Sequence, residues 1–215
     1  LSNVKLVIAA ALLVGGGLVC SPGQTAAQFE NKNMTIGELS NTYSEVGGET
    51  EYWRGGPYGL EWPAHHQGAS MLRAEATWIA ARNVEGPEGE TYPVRVAHVG
   101  TRATGSGEMF PVEFQTISRF DEPDVQVDGL PSYDKFPDVD EVDPSMKYDR
   151  KIINEVNTIL GLTMTREIYA FSQEDHDNYH VQAFTLTNTG NADGDSDIEL
   201  EQTLEGVYLH LEYRY

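Results

Sequence analysis

The densest set of potential metal ligands in the chain is Asp193-Gly-Asp195-Ser-Asp197-Ile-Glu199. Carboxylates at alternate positions of a turn-forming stretch supply the oxygen-rich shell that a hard cation such as calcium takes. The spacing is not that of an EF-hand. Its sixth position is Ile198 where a glycine is needed, and Leu204 stands where the bidentate glutamate belongs. Asp and Gly at this density also make a solvated turn without any ion, directly after Thr189-Gly190-Asn191.

A second group is aromatic. Tyr52, Trp53, Tyr58 and Trp62 fall in a Gly-rich loop spanning residues 51–66, and flat rings with polar tips are a platform on which sugars stack. Glu51 and Glu61 flank it and would be the paired carboxylates of a glycosidase. The same rings would equally plug one end of a β-sandwich, since large aromatics dominate cores. His176 and His180 are four apart among Glu174, Asp175 and Asp177, which on a helix would aim two imidazoles at one zinc. No glutamate lies between them, and Tyr179 leads into a strand pattern, so surface imidazoles are expected there, as at His65-His66. The chain has no nucleophile elbow, phosphate loop or dinucleotide fingerprint, and the Gly-rich 100–107 stretch lacks the lysine of such loops. None of these groups assigns a catalytic residue.

Charge narrows the partners. Against 14 Lys+Arg stand 34 Asp+Glu, a formal net charge of −20. Such a surface repels nucleic acid and anionic lipid. It suits cation binding, salty water or plain solubility. The acids concentrate in residues 121–149, where Pro123, Pro131, Pro137 and Pro144 keep the chain extended, an acidic Pro-rich connection.

The amino terminus reads as an export signal. Lys5 precedes an apolar run from Leu6 to Val19, and Ala26-Ala27 supplies the small residues of a cleavage site before Gln28. The run is broken by Gly15-Gly16-Gly17 and is shorter than the roughly 20 apolar residues a spanning helix needs. Residues 1–27 are therefore expected to be a cleaved signal peptide, with no transmembrane span left in the mature chain. Cys20 is not followed by lipoprotein use, because Val19 is bulky where a lipid-attachment box wants a small residue. It is the single cysteine, so its removal excludes disulfides and thiolate chemistry.

The elements that position these groups are mainly strands. Residues 28–68 are an irregular, Gly- and aromatic-rich lead-in. Residues 69–83 carry helix-favouring alanines, yet Leu72, Ala74, Ala76, Trp78 and Ala80 alternate at period two between Gly68 and Gly86, which selects a strand. Strands are predicted at 94–101, 110–120, 160–170, 179–187 and 206–215, while 149–158 fits either a short helix or extended chain. These give two β-rich units, 69–120 and 150–215, joined by the connection 121–149. The expected fold is mainly β, an antiparallel β-sandwich of immunoglobulin-like or related type, in one or two packed units. The chain stops at Tyr215 inside an amphipathic strand, so it is expected to be the amino-terminal part of a longer protein.

Three stretches carry a resemblance. Ala76-Thr-Trp78-Ile-Ala-Ala-Arg-Asn83 followed by Val94-Arg-Val-Ala97, then Gly161-Leu-Thr-Met-Thr-Arg166 with Phe171-Ser-Gln173, then Asp177-Asn-Tyr179 running into Phe184-Thr-Leu-Thr-Asn188-Thr-Gly190-Asn191, resemble large secreted or surface proteins of gliding and marine bacteria. Their signatures are a Trp-Ile-Gly strand motif and an Asn-Thr-Gly strand turn. The likeness spans residues 60–215, and Ala80 stands where the family motif has glycine. It implies an extracytoplasmic location and immunoglobulin-like modules, and no activity. The expected function is a non-catalytic secreted or cell-surface β-sandwich in adhesion or envelope structure, with a glycan or other surface proteins as partners. The alternative is a carbohydrate-binding or glycoside-hydrolysing module built on the 51–66 loop.

Overall fold

A computed structural model describes residues 29–49, 59–64, 71–72, 74–99, 108–121, 126–131 and 139–215. The expected signal peptide, Tyr52, Trp53, Tyr58, His65 and His66 lie outside them. The described residues form strands and no helix. In chain order these are β1 (Asn31–Ile36), β2 (Leu39–Ser44), β3 (Ala74–Glu85), β4 (Thr91–Val99), β5 (Met109–Ser118), β6 (Gln126–Val127), β7 (Leu130–Pro131), β8 (Glu141–Val142), β9 (Arg150–Thr158), β10 (Leu162–Ala170), β11 (Val181–Asn188) and β12 (Glu205–Arg214).

They assemble into a five-stranded sheet ordered β11-β10-β9-β5-β8, a three-stranded sheet β12-β3-β4, and the hairpins β1-β2 and β6-β7. Every pairing is antiparallel except the two-residue β5–β8 contact. Strands from both sides of the acidic connection share sheets: β12 pairs with β3, and β9 with β5. Residues 69–120 and 150–215 are thus interleaved and do not make separate sheets. The connection itself supplies β8, and its Asp140 carboxylate accepts the Thr116 amide at 2.6 Å and the Lys32 ammonium at 2.9 Å.

One hydrophobic cluster draws on both larger sheets. Ile79, Ala81, Val84, Ala97 and Val99 come from the three-stranded sheet, and Met109, Val156, Leu162 and Met164 from the five-stranded one. Farther along the same face, Met34 and Tyr43 of the β1-β2 hairpin cover Ile152, Ile168 and Ala170. Period-two alternation produces this: on β9, Ile152, Asn154, Val156 and Thr158 point inward, and on β10, Leu162, Met164, Arg166 and Ile168 do.

Two expectations change and one open choice is decided. The polar lead-in contains a regular hairpin whose second strand is almost wholly buried. Segment 149–158, open to a short helix or extended chain in the sequence, is the strand Arg150–Thr158. Segment 69–83 contains most of β3, as its alternation predicts, but the buried parity is the opposite one: Glu75, Thr77, Ile79 and Ala81 face in, and Trp78 faces out. An inward glutamate is tolerable only with partners, and those partners form the site described next.

Candidate functional site

Three ionisable side chains are buried together where the hairpin meets both sheets. Glu49 follows the turn after β2, Glu75 begins the inward row of β3, and Arg166 sits in the middle of β10. Arg166 is 1% exposed and Glu75 is 3% exposed. Burying such charges costs several kcal/mol apiece unless each lone pair and proton is met.

Here most are met, from six segments, although Arg166 Nε is buried without a hydrogen-bond partner. The Arg166 guanidinium donates to the Ser44 carbonyl at 3.2 Å, the Gly48 carbonyl at 3.1 Å and Asn154 Oδ1 at 3.0 Å. Its plane also lies over the Tyr43 ring, 5.4 Å from the centroid. Glu49 Oε1 accepts from Gln182 Nε2 at 2.8 Å and from the Tyr213 hydroxyl at 3.3 Å, while Oε2 accepts from Asn41 Nδ2 at 2.8 Å. Glu75 Oε1 accepts from Thr77 Oγ1 at 2.7 Å, and Oε2 from the Glu49 amide at 2.8 Å. Gly47 makes the close approach possible. Its φ is +91°, and a Cβ there would come within 2.8 Å of Met164 Cε.

The electrostatics follow from burial. Desolvation pushes the Glu75 carboxyl up to about 7 against the Thr77 hydrogen bond, and repulsion from Glu49 adds to it. Burial lowers the Arg166 pKa, with Glu75 and Glu49 opposing. The Tyr43 and Tyr213 hydroxyls are both driven up, first by desolvation and then by Glu49. His180 meets the Tyr43 hydroxyl through Nδ1 at 3.0 Å, and burial depresses it to about 4, so it is neutral at pH 7. A carboxyl near 7 beside a second carboxylate is the pairing of acid–base catalysis. In this cluster, however, all four carboxylate oxygens already accept hydrogen bonds from the protein itself.

The acidic turn is partly assembled. Carboxylate oxygens of Asp193, Asp195 and Glu199 lie within 4.8 Å of one another, whereas Asp197 is not in the group. Asp193 Oδ1 accepts the Asp195 amide and Asp195 Oδ1 the Asp197 amide, both at 2.8 Å, and Glu199 Oε2 accepts the Ala192 amide at 2.6 Å. These are the backbone bonds that fold Asp-rich turns. Behind the turn, Asn157 Nδ2 holds the Asp193 carbonyl at 3.1 Å, and the Gly190 carbonyl accepts the Leu200 amide at 2.9 Å.

Of the aromatic group only Trp62 is described. It is 51% exposed, on a segment bridged to β2 through reciprocal Ser40–Glu61 bonds of 3.1 and 2.8 Å. Glu61 is buried. His176 and His180 do not converge: His176 contacts Tyr179 Oη, while His180 turns inward onto Tyr43. The sequence reading missed Glu49, Glu75 and Arg166 altogether. The available signal was Glu75 on the parity of Thr77, Ile79 and Ala81. Among the described residues, no helix is long and apolar enough to cross a membrane. Comparisons with protein-family models, curated proteins and solved structures each return no match.

Proposed function

We propose that the chain is a non-catalytic secreted or cell-surface β-sandwich, immunoglobulin-like or related, that serves adhesion or envelope structure. The observation that carries this reading is the inward closure of its most reactive groups. Glu49, Glu75 and Arg166 take partners from β2, β9, β11 and β12 and the turn before Glu49, so they fasten the hairpin to both sheets. Catalytic carboxyls need a face turned to substrate. A core shared by two antiparallel sheets supports the sandwich architecture. The export-like segment ending at Ala27 and the resemblance to surface proteins support the location.

The test is made on intact cells that produce the full chain. Externally added protease should release or cleave the protein, and amino-terminal sequencing of exported material should begin near Gln28. Protection from protease until lysis, with residues 1–27 retained, would refute the location. A lipid-modified Cys20 as the first residue would refute the cleavage site.

A further inference from the structure

The outer face of the three-stranded sheet carries an aromatic rung that the buried cluster does not involve. On central strand β3, Trp78 lies directly between His210 of β12 and His98 of β4 in the register of the sheet. The two imidazole centroids are 6.0 and 6.1 Å from the indole, at 63° and 69° from parallel, so neither ring is stacked flat on it. Along β3 the same-face neighbours are Ala76 and Ala80, too short to shade the indole. Trp78 is 42% exposed, unusual for a residue type that is highly buried on average. One rung away, opposite Ala80, Tyr208 is also exposed, on a diagonal of about 7–8 Å from the Trp78 position.

The surroundings are mixed: Val96 and Val94 of β4, opposite Ala80 and Arg82, are exposed, and the remaining side chains are polar. His98 Nδ1 contacts Glu108 Oε2 at 2.5 Å, and the same oxygen accepts the His98 amide at 2.9 Å, which fixes that ring. His210 Nε2 lies 4.0 Å from Glu212. Arg82 faces Glu205 across the β3–β12 pair, and Arg214 lies beside Glu212 on the same face. Two arginines stand here against three glutamates, Glu108, Glu205 and Glu212, so the face is far less acidic than a chain whose net charge is −20. A second copy of so acidic a chain is repelled, and anionic polymers are as well. Cationic partners are drawn to the acid-rich segments, away from this weakly charged face. What fits an indole beside exposed valines and a weakly charged, hydrogen-bonding rim is an uncharged ring with one apolar face and a girdle of hydroxyls.

We propose that this face binds a neutral polysaccharide, one pyranose ring stacking on Trp78 and the chain continuing over Tyr208. The proposal rests on the reading of a secreted or cell-surface β-sandwich in adhesion and supplies its ligand class. It moves glycan recognition from the 51–66 loop to the sheet.

The experiment is affinity electrophoresis of the full chain in native gels containing hydroxyethyl cellulose, galactomannan, laminarin or arabinoxylan, with polygalacturonate as the anionic comparison. At least one neutral polymer should retard the protein, and polygalacturonate should not. Trp78→Ala should weaken the retardation about tenfold or more, Tyr208→Ala should weaken it less, and Trp62→Ala should leave it unchanged. Both Trp78 and Tyr208 are solvent-facing, so melting temperature verifies that the variants remain folded, and a Trp78→Ala that unfolds leaves Tyr208→Ala to decide. Absence of retardation by every neutral polymer overturns the proposal. So does wild-type retardation in a folded Trp78→Ala, or in Tyr208→Ala where that variant decides. Loss confined to Trp62→Ala overturns it in favour of the loop. A cytoplasmic location would refute the secreted reading while leaving the gel result standing, so the two fail separately.

Discussion

Replacing Glu75 with glutamine should stabilise the protein at alkaline pH and leave it unchanged in acid. Burial holds the Glu75 carboxyl at about 7 in the folded chain, against an ordinary value of 4.5. The folded state thus binds this proton more tightly than the unfolded state. The stability contributed by the protonated form is complete below pH 4.5 and is lost as pH rises through about 7. At about 1.36 kcal/mol per pKa unit, the loss amounts to about 3 kcal/mol above pH 7. Glutamine is the isostere of the protonated acid, and the network can accept it. Its oxygen takes the Glu49 amide and its NH₂ donates to Thr77 Oγ1. The Thr77 hydroxyl then donates to the Gly47 carbonyl, which is already 3.0 Å away. For a chain of this length, roughly 2–4 °C per kcal/mol converts the gain to about 6–12 °C in melting temperature at pH 8. Thermal melts of wild type and Glu75→Gln from pH 4.5 to 8 should converge at the acid end and diverge steadily toward pH 7. A constant offset across that range, or a variant less stable at pH 8, would refute the assignment of a buried, late-titrating carboxyl.

The remaining predictions use the same cluster and the acidic turn. Arg166→Ala should cost about 3–5 kcal/mol in denaturant unfolding, because it leaves Glu49 and Glu75 buried without their cation; a loss below about 1 kcal/mol would show the charges to be solvated. His180 has the opposite linkage to Glu75: its folded pKa is depressed from 6.5 to about 4, so its contribution is complete above pH 6.5 and is lost as pH falls toward 4. His180→Asn should therefore flatten the acid limb of the stability profile, and an unchanged acid limb would count against a half-buried neutral imidazole. For the turn at Asp193, Asp195 and Glu199, melting in calcium should match melting in sodium of equal ionic strength, since their backbone bonds already hold the loop. A calcium-specific rise that Asp195→Asn abolishes would instead establish an ion site.

Much of the strand pattern was legible because period-two alternation is a local property. Val94 and Val96, the Leu162–Met164 pair and the Leu209–Leu211 pair announce β4, β10 and β12 without reference to anything else. The β1-β2 hairpin was illegible for the same reason. Ser40, Asn41 and Thr42 are polar, and they are buried because they bond within the hairpin and to Glu49, which is a tertiary fact. The acidic turn was legible as a ligand-type sequence, but which carboxylates converge depended on the path of the backbone. Asp197 is not among the three that converge.

Composition and order alone determined the acidic surface, the lack of any cysteine beyond the export-like segment and the dominance of strands, since each depends on residue type and near neighbours. The tertiary structure alone decided which face of β3 is inside. A strand presents two parities, and the apolar one is inside by default. That default fails at Ala76-Thr77-Trp78-Ile79-Ala80. Asn154, Arg166 and Gln182 lie 79 to 107 positions farther along the chain than Glu75, and only after they arrive does Glu75 have a place in the core. Turning Glu75 inward leaves Trp78 on the surface, where its function is to be sought.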